Sequence, residues 1–301
     1  PTSVTIKVLG VLDSISGIAT KPFVSIDGSS TNEHLVAVDV GGAVGLKIIG
    51  DGTFRNCTAL TAENIRGISS SLYSLGDECF AGCRGMTNIP WLASTSVTSL
   101  PDGCFRNSGI AVGGDSFKNI DSLGAYSFYG CTNITSVSFI TNANITAIPD
   151  GCFQNCYELT TLPPLEGITS IGRDAFANCS KLVDFNLPRG LTIGNNAFYG
   201  CGTDPDIPEK TDDDGFKFKL LFDCPGMTYV ETAQAFGLND GDVTDTRTGI
   251  DPTVTKFLCD DGDLLFNNGE QIRRWEVIVP AVEFELSGVT NMTTFTVANT
   301  R

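Results

Sequence analysis

The sequence predicts a repeat solenoid: a right-handed superhelix of short β-strands and short helical turns, with β-rich caps at both ends. Two observations lead to this fold class. A phrase centred on phenylalanine, as in DGTFRNC, DECFAGC and DGCFQNC, recurs seven times in a chain of 301 residues. Successive copies are 26, 25, 23, 25, 23 and 22 residues apart, a spacing typical of repeats that stack on one another. The central phenylalanines are Phe54, Phe80, Phe105, Phe128, Phe153, Phe176 and Phe198.

Composition and charge narrow the class of protein. Apolar residues make up 41% of the chain, which allows a substantial core, and the 33 glycines indicate many turns. The formal charge of -16 argues against a nucleic acid partner, because such a partner requires clustered Lys and Arg. From Gly202 onward the chain carries 19 acidic and 8 basic residues. It has no uninterrupted apolar run long enough for a transmembrane helix, so we expect no membrane span.

Residues 1–48 are expected to form a β-rich N-terminal cap or small domain. Val4, Ile6 and Val8 alternate with polar residues, and LVAVDV at 35–40 is also strand-like. A solenoid needs such a cap, because its first coil would otherwise expose the core. The opening stretch PTSVTIKVLG has no basic segment leading into an apolar run, so we expect no signal peptide within it.

Residues 49–205 are expected to form seven repeat units. Each unit reads as a short strand, a turn, a second extended piece, a corner and one short helical turn that carries the Phe. Apolar strand residues and the Phe point inward, because one short unit cannot bury its apolar side alone and must share a core with its neighbours. The outward residues of the strand face are candidates for partner binding, although a solvated sheet would explain them equally well: Thr160, Thr161, Pro163, Val183, Asp184 and Asn186.

The most complete unit runs from Ile171 to Pro188 and reads I-G-x-x-A-F-x-x-C-x-x-L-x-x-hydrophobic-x-L-P. This pattern resembles the BspA-like class of bacterial leucine-rich repeats, and the resemblance covers about residues 49–201. It implies seven leucine-rich repeats in a protein of the bacterial surface, or a secreted one, that acts in adhesion and partner binding. It implies no catalytic residues. One departure is that no Asn recurs at a fixed offset after the L-x-L run.

Nine of the eleven cysteines occupy two positions of the repeat, directly before the Phe and three residues after it. Other copies carry Thr, Ser or Ala at these positions, so neither position is an obligate zinc ligand. Two cysteines four residues apart on a helical turn point along the same face, which disfavours a disulfide within one unit. We therefore expect free thiols that pack as small apolar side chains. The predicted structural ladder combines the seven phenylalanines with Cys57, Cys83, Cys131, Cys156, Cys179 and Cys201.

Residues 206–249 are expected to hold a polar insertion and a C-terminal capping unit. The segment LLFDC, which begins at Leu220, reads as a degenerate last unit. Thr228 and Glu231 have the spacing of a capping box, and Gly237 is a plausible end for the short helix that would follow.

Residues 250–301 predict a β-rich C-terminal segment, because stretches such as VEFEL alternate apolar and acidic side chains. Loops in and just before this segment contain aspartates next to glycine, which could offer oxygen ligands to calcium. They lack the spacing and closing Glu of an EF-hand, and ordinary acidic turns explain them as well. These weak calcium candidates are Asp240, Asp242, Asp245, Asp260, Asp261 and Asp263.

Catalysis is not expected. The single histidine, His34, lies in a different segment from the ladder cysteines. No sequence motif of a serine hydrolase, a zinc protease, a P-loop or a dinucleotide-binding site occurs. We expect neither a cofactor nor a metal site.

Two functions fit the sequence. The first is a non-catalytic binding and adhesion module that presents its repeat face to a protein or glycan on a bacterial surface, or after secretion. The alternative is a structural or decoration protein of a virion or other large assembly, anchored through its β-rich ends. The family resemblance favours the first. The unpaired thiols, the opening stretch and the β-rich termini, which would also allow a homo-oligomer, favour the second.

Overall fold

The computed structural model of the protein describes residues 4–11, 14–15, 33–111, 114–142, 144–208, 210–211, 217–218, 220–223, 234–235, 254–258, 263–267, 270–277 and 296–297. Its first strands are Val4–Val11, Ser14–Ile15, Leu35–Val44, Ile48–Ile49, Ile65–Arg66, Ser74–Leu75, Ala147–Ile148, Ser170–Ile171, Asp184–Asn186 and Thr192–Ile193. The later strands are Lys210–Thr211, Lys217–Phe218, Leu220–Asp223, Val254–Leu258, Asp263–Asn267, Glu270–Val277 and Thr296–Val297.

Parallel pairing between successive coils organises the repeat region. Ser14–Ile15, Ile48–Ile49 and Ser74–Leu75 form one short parallel sheet, and Ala147–Ile148, Ser170–Ile171 and Thr192–Ile193 form another. A single parallel bridge between Ser99 and Ser122 occupies the same place in the coils between them. Each strand is short because the chain must turn a corner after two or three residues to complete one coil.

The N-terminal strands continue this stack. Val4–Val11 pairs in parallel with Leu35–Val44, which pairs in parallel with Ile65–Arg66 of the first repeat coil. Leu35, Val38 and Val40 are buried against the same core as the repeats. The backbone of this segment therefore extends the repeat sheet.

The phrase around each Phe is a run of hydrogen-bonded turns, which corrects the predicted helical turn. The N–H of Cys57, for example, donates to the carbonyl oxygen of Phe54 over 3.1 Å. The residues two before and two after the Phe have a positive φ in every copy: Gly52, Glu78, Gly103, Tyr126, Gly151, Asp174 and Asn196 before it, and Asn56, Gly82, Asn107, Gly130, Asn155, Asn178 and Gly200 after it. Because left-handed residues cannot continue a right-handed helix, the phrase cannot be helical.

Among the described residues, 3-10 helices lie farther along the first four units, at Ala62–Asn64, Pro90–Ser94, Gly114–Phe117 and Ser138–Thr141. The last three place Trp91, Phe117 and Phe139 beside the repeat phenylalanines. The ring of Phe117 meets that of Phe105 edge-on at 5.9 Å. These rings widen the core of the middle coils.

The seven repeat phenylalanines form a continuous column through the core. All seven are fully buried, and neighbouring rings stack at centroid distances of 5.4 to 5.8 Å. The backbone locks this register, since the N–H of each Phe donates to the carbonyl of the next coil, as from Phe54 to Cys79 at 2.8 Å and from Phe80 to Cys104 at 3.0 Å.

The stack extends beyond the seventh phrase. Leu220–Asp223 pairs in parallel with Asp184–Asn186, so it takes the strand position of the seventh coil. The N–H of Phe198 donates to the carbonyl of Ala235 over 2.9 Å, in the place where each earlier Phe bonds to the residue before the next Phe. Ala235 also directly precedes Phe236 in the sequence. Ala235 therefore continues the ladder of backbone hydrogen bonds from the seventh phrase.

The described strands after Ala235 add to the same sheet. Val254–Leu258 pairs in parallel with Leu220–Asp223, and Asp263–Asn267 and Glu270–Val277 continue the sheet in antiparallel fashion. Of the predicted helix at 228–237, the structure describes Gln234 and Ala235 as helical, and Thr228, Glu231 and Gly237 lie outside the described residues.

Candidate binding surface

Arginine and tyrosine side chains gather on the outer side of the Phe phrases. We call this region the turn surface and define it by Arg55, Glu78, Arg84, Arg106, Tyr126, Tyr129 and Tyr157. The register of the phrase places them there. With the Phe in the core, the large side chains directly after it, two before it and four after it reach the surface, whereas the small side chains of Ala81 and Ala177 directly after their Phe are buried. The turn surface thus draws on five successive coils.

Two residues of the turn surface occupy an unfavourable backbone conformation. Glu78 and Tyr126 have φ values of +52° and +57°, at a position where the other copies carry Gly, Asn or Asp. A left-handed conformation costs such residues roughly 1 to 2 kcal/mol. Strain of this kind is concentrated at functional sites, which makes these two side chains candidates for a functional role.

Glycines in the next coil allow these two side chains to lie flat along the stack. A Cβ on Gly103 would touch Cγ of Glu78 at 3.0 Å, and a Cβ on Gly151 would clash with the ring of Tyr126. The alternation of Gly with Glu or Tyr at this position therefore shapes the surface and fixes the two side chains.

A surface pocket of about 460 Å³ lies at the basic end of the turn surface. Arg55, Arg84 and Arg106 line it, together with Glu78 and Glu33. Nη1 of Arg55 lies 2.6 Å from Oε2 of Glu78, and Nη1 of Arg106 lies 3.9 Å from Oε1 of the same carboxylate. In the part of the chain that the structure describes, Arg84 makes no ion pair. Three guanidinium groups thus meet two carboxylates in a protein of net charge -16.

The aromatic end of the surface begins where the basic end stops. The guanidinium carbon of Arg106 lies 4.8 Å from the centre of the Tyr129 ring, and Tyr129 meets Tyr126 edge-on at 6.2 Å. Tyr126 is 40% exposed and Tyr157 is 45% exposed. Guanidinium groups over tyrosine rings are held by cation–π attraction, so the two ends form one continuous surface.

The cysteines of the repeat lie in the core. Five of the six thiols three residues after a Phe donate to the carbonyl oxygen of the Phe one coil earlier, at 2.9 to 3.3 Å: Cys83, Cys131, Cys156, Cys179 and Cys201. Ser108 takes this place in the third copy and lies 3.5 Å from the sulfur of Cys131. The thiols thus act as weak hydrogen-bond donors between coils as well as apolar filling.

The described thiols lack the properties of a reactive cysteine. All are free, and the sulfurs of Cys79 and Cys104 lie 3.7 Å apart. Burial raises the pKa of Cys57, Cys131 and Cys152 to about 12. A nucleophilic cysteine requires a lowered pKa and access to solvent, so these residues are unsuited to catalysis.

A ladder of aspartates links the coils next to the turn surface, and the sequence reading missed it. Three residues before the Phe, the carboxylates of Asp51, Asp77, Asp102 and Asp150 each accept the backbone N–H of the equivalent residue in the next coil, at 2.7 to 3.2 Å. Burial, followed by the neighbouring charge of Asp51, raises the pKa of Asp77. Asp at this position in four of the seven phrases was the available signal.

The predicted binding residues lie on the strand face, away from the Phe phrases. Thr160 and Thr161 are exposed, and the hydroxyl of Thr160 donates to the carbonyl of Thr135 one coil earlier. Pro163 and Val183 are half-buried. Asp184 and Asn186 belong to a described strand, and their side chains lie outside the described residues.

Of the calcium candidates, the structure describes Asp263 alone. Asp263 begins the strand Asp263–Asn267, where its backbone lies opposite Glu276. Asp240, Asp242, Asp245, Asp260 and Asp261 lie outside the described residues. Within the residues that the structure covers, no three His, Cys, Asp or Glu side chains form a group that could hold a metal ion.

Sequence reasoning missed the arginines and tyrosines, since all neighbours along the chain but Tyr126 and Tyr129 lie at least twenty residues apart, and they share no motif. Their offsets from the Phe were the usable signal, because residues at equal offsets in successive units become neighbours in a stack.

No helix among the described residues has the length and apolar character needed to cross a membrane.

A family model described as BspA type leucine rich repeat region matches residues 41–112 and 115–206 in six copies, together more than half of the chain. The chain matches no curated protein sequence.

Solved structures show similar proteins. A leucine rich cell surface protein from Faecalibacterium prausnitzii A2-165 is 18% identical, with a TM-score of 0.38 over 72% of this chain and 54% of that one. A leucine-rich repeat protein from Eubacterium ventriosum ATCC 27560 is 17% identical, with a TM-score of 0.35 over 72% and 48%. The leucine rich repeat protein of T. pallidum is 16% identical, with a TM-score of 0.32 over 68% and 79%. The chain spans about half the length of the first two proteins.

Proposed function

Because the chain belongs to the BspA type leucine-rich repeat family, we propose that it is a non-catalytic binding module that contacts a protein partner at a bacterial surface. The observation that carries this proposal is the turn surface. It exposes arginine and tyrosine on a rigid stack, and these residue types dominate the energetics of protein interfaces. The buried thiols, with their raised pKa values, support a role without catalysis.

The proposal includes the finer organisation of the chain. Residues 1–48 would be the β-rich N-terminal cap or small domain, residues 49–205 the seven repeats, residues 206–249 the polar insertion and C-terminal capping unit, and residues 250–301 the β-rich C-terminal segment. A right-handed superhelix is supported by the parallel pairing of successive coils, since crossovers between parallel strands are right-handed in about 98% of cases. Assembly into a homo-oligomer through the terminal strands, and a glycan in place of a protein partner, belong to the same proposal as variants of it.

The test uses cells that produce the protein and a matched strain that lacks its gene. An antibody to the purified chain should label intact cells without permeabilisation, and loss of the gene should reduce adhesion to a protein-coated surface. A lysate of the producing cells is also fractionated on a density gradient. Sedimentation of the chain with virus-like particles, or labelling after permeabilisation alone, would contradict the surface module and favour the virion role.

A further inference from the structure

We propose that the turn surface binds an extended segment of a partner protein, with Asp or Glu side chains at one end of the segment and apolar side chains at the other. The inference rests on the proposed function, because it names the chemistry of the partner that this module takes. It also moves the binding site from the strand face to the outer side of the Phe phrases.

The basic end selects acidic side chains. A guanidinium group has five N–H donors, and Glu78 occupies at most a few of those on Arg55 and Arg106. The side chains of these arginines are 51% and 44% exposed, so their remaining donors face solvent. Arg84 is exposed beside them and makes no ion pair with another described residue. Arginine clusters of this kind recognise acidic motifs through bidentate hydrogen bonds to carboxylates.

The charge of the whole protein sharpens this selection. The net charge is -16, so an acidic segment is repelled over most of the molecule. Within the pocket, the three guanidinium groups outnumber the carboxylates of Glu33 and Glu78, and the aspartate ladder lies beside it. Charge complementarity of this type gives specificity and accelerates association more than it adds affinity.

The tyrosine end distinguishes a protein segment from an anionic polysaccharide. Tyr126, Tyr129 and Tyr157 continue the surface over the fourth and fifth coils, beyond the guanidinium group of Arg106, which lies over the ring of Tyr129. An anionic polysaccharide carries its charge along its whole length and would leave these rings without a charged counterpart. A protein segment can place carboxylates against the arginines and apolar side chains against the tyrosines.

The size of the surface sets the length of the segment. Hydrogen bonds join the coils at this face in sequence, as from Asn107 to Tyr129 at 2.7 Å and from Gly130 to Gln154 at 2.8 Å. Coils joined in this way lie about 4.8 Å apart, so the five coils of the turn surface span about 20 Å. That distance matches roughly six residues of an extended chain.

The test measures binding of the full chain to a fluorescein-labelled peptide of four glutamates followed by leucines, by fluorescence anisotropy. A peptide with lysines in place of the glutamates and a hyaluronan oligosaccharide serve as the two comparison probes. We expect binding of the glutamate peptide alone, and weaker binding at high salt because exposed charges are screened.

Two variants probe the two ends of the surface. Arg84→Glu should weaken peptide binding about tenfold or more, and Tyr157→Ala about fivefold. Arg84 suits this test because its replacement leaves the ion pairs of Glu78 in place. Arg66→Glu is the matched control, since it makes the same charge change at an exposed residue of the strand face and should change binding less than about twofold. Far-UV circular dichroism and the urea midpoint establish that each variant is folded.

Three results would overturn the inference: equal weakening by Arg66→Glu and Arg84→Glu, binding of the lysine peptide, or binding of hyaluronan in preference to the glutamate peptide. The double variant Thr160→Ala/Thr161→Ala separates this failure from that of the proposed function. If it abolishes adhesion while Arg84→Glu leaves adhesion intact, the module binds through its strand face and this inference is wrong. If the unaltered protein supports no adhesion at all, the proposed function itself fails.

Discussion

Replacing Phe153 with Ala is expected to lower the free energy of unfolding by about 3 to 5 kcal/mol. The side chain is fully buried, and its ring stacks on those of Phe128 and Phe176, each at a centroid distance of 5.4 Å. A third ring, Phe139, lies 6.3 Å away. Because each stacked pair contributes about 0.5 to 1.5 kcal/mol beyond burial, and two pairs are lost, the value should fall in the upper half of that range.

Two further variants locate the source of this loss. Phe153→Leu keeps most of the apolar volume but no ring, and should cost about 1 to 2 kcal/mol. Cys152→Ala removes one buried sulfur from the neighbouring residue, which lies 3.4 Å from the hydroxyl of Ser127, and should cost less than about 1.5 kcal/mol. The loss in free energy of unfolding should therefore decrease in the order Phe153→Ala, Phe153→Leu, Cys152→Ala.

The assay is urea unfolding followed by far-UV circular dichroism, with midpoints compared where the slope with denaturant is unchanged. Tryptophan fluorescence provides a second probe, since Trp91 packs against Phe80 three coils before Phe153. A loss below about 1.5 kcal/mol for Phe153→Ala, or an equal loss for Cys152→Ala, would refute the view that the ring column holds the coils together.

Three further predictions concern thiols, glycines and additives. Burial raises the pKa of Cys131 and Cys152 from 9.0 to about 12, so the unfolded chain releases these protons first. The stability they contribute is complete below pH 9 and is lost towards pH 12. Between pH 8 and pH 10.5, the free energy of unfolding in urea should therefore fall less for Cys152→Ala than for the unaltered protein. An equal fall in both proteins would contradict this. Gly151→Ala should cost more than Gly190→Ala in thermal or urea unfolding, because both have positive φ but only Gly151 faces the Tyr126 ring, and equal losses would exclude that contact. EDTA and dithiothreitol should leave the urea midpoint unchanged, and unfolding by either would disprove free, metal-independent thiols.

The sequence was enough to predict both the repeat period and the family. The family match confirms the resemblance and the leucine-rich repeat fold. A stack requires the same inward residue in every unit, which is why Phe recurs and can be aligned without knowledge of the structure. The parallel pairing of Leu220–Asp223 with Asp184–Asn186 was harder to foresee, because a long polar insertion separates Leu220 from the seventh phrase.

The conformation of the Phe phrase was predicted wrongly, although its signal was present. Every copy carries Asn or Gly two residues after the Phe, as in Asn56, Gly82 and Asn107. These are the residues that most readily adopt positive φ, and their recurrence at one position excludes a continuing helix. The helical prediction rested on the four-residue spacing of the cysteines. It overlooked the positive φ that the residues between them require.

The turn surface could not be predicted from local patterns. Arg55, Glu78 and Arg106 are each more than twenty residues apart and become neighbours only when the register between coils is known. The register depends on hydrogen bonds between coils, which leave no mark in the sequence of one unit. Offsets from the shared Phe are the one route from sequence to such a surface.

The one-dimensional order of the stack has a mechanical consequence. Each coil is bonded to the coil before it and the coil after it, so a pull on the two ends of the chain would open coils one at a time from an end. A coil of 22 to 26 residues that unravels becomes a thread of about 80 Å, where it had occupied about 5 Å of the stack. A protein that tethers a cell to a partner under flow would therefore lengthen in steps and limit the force on its attachment.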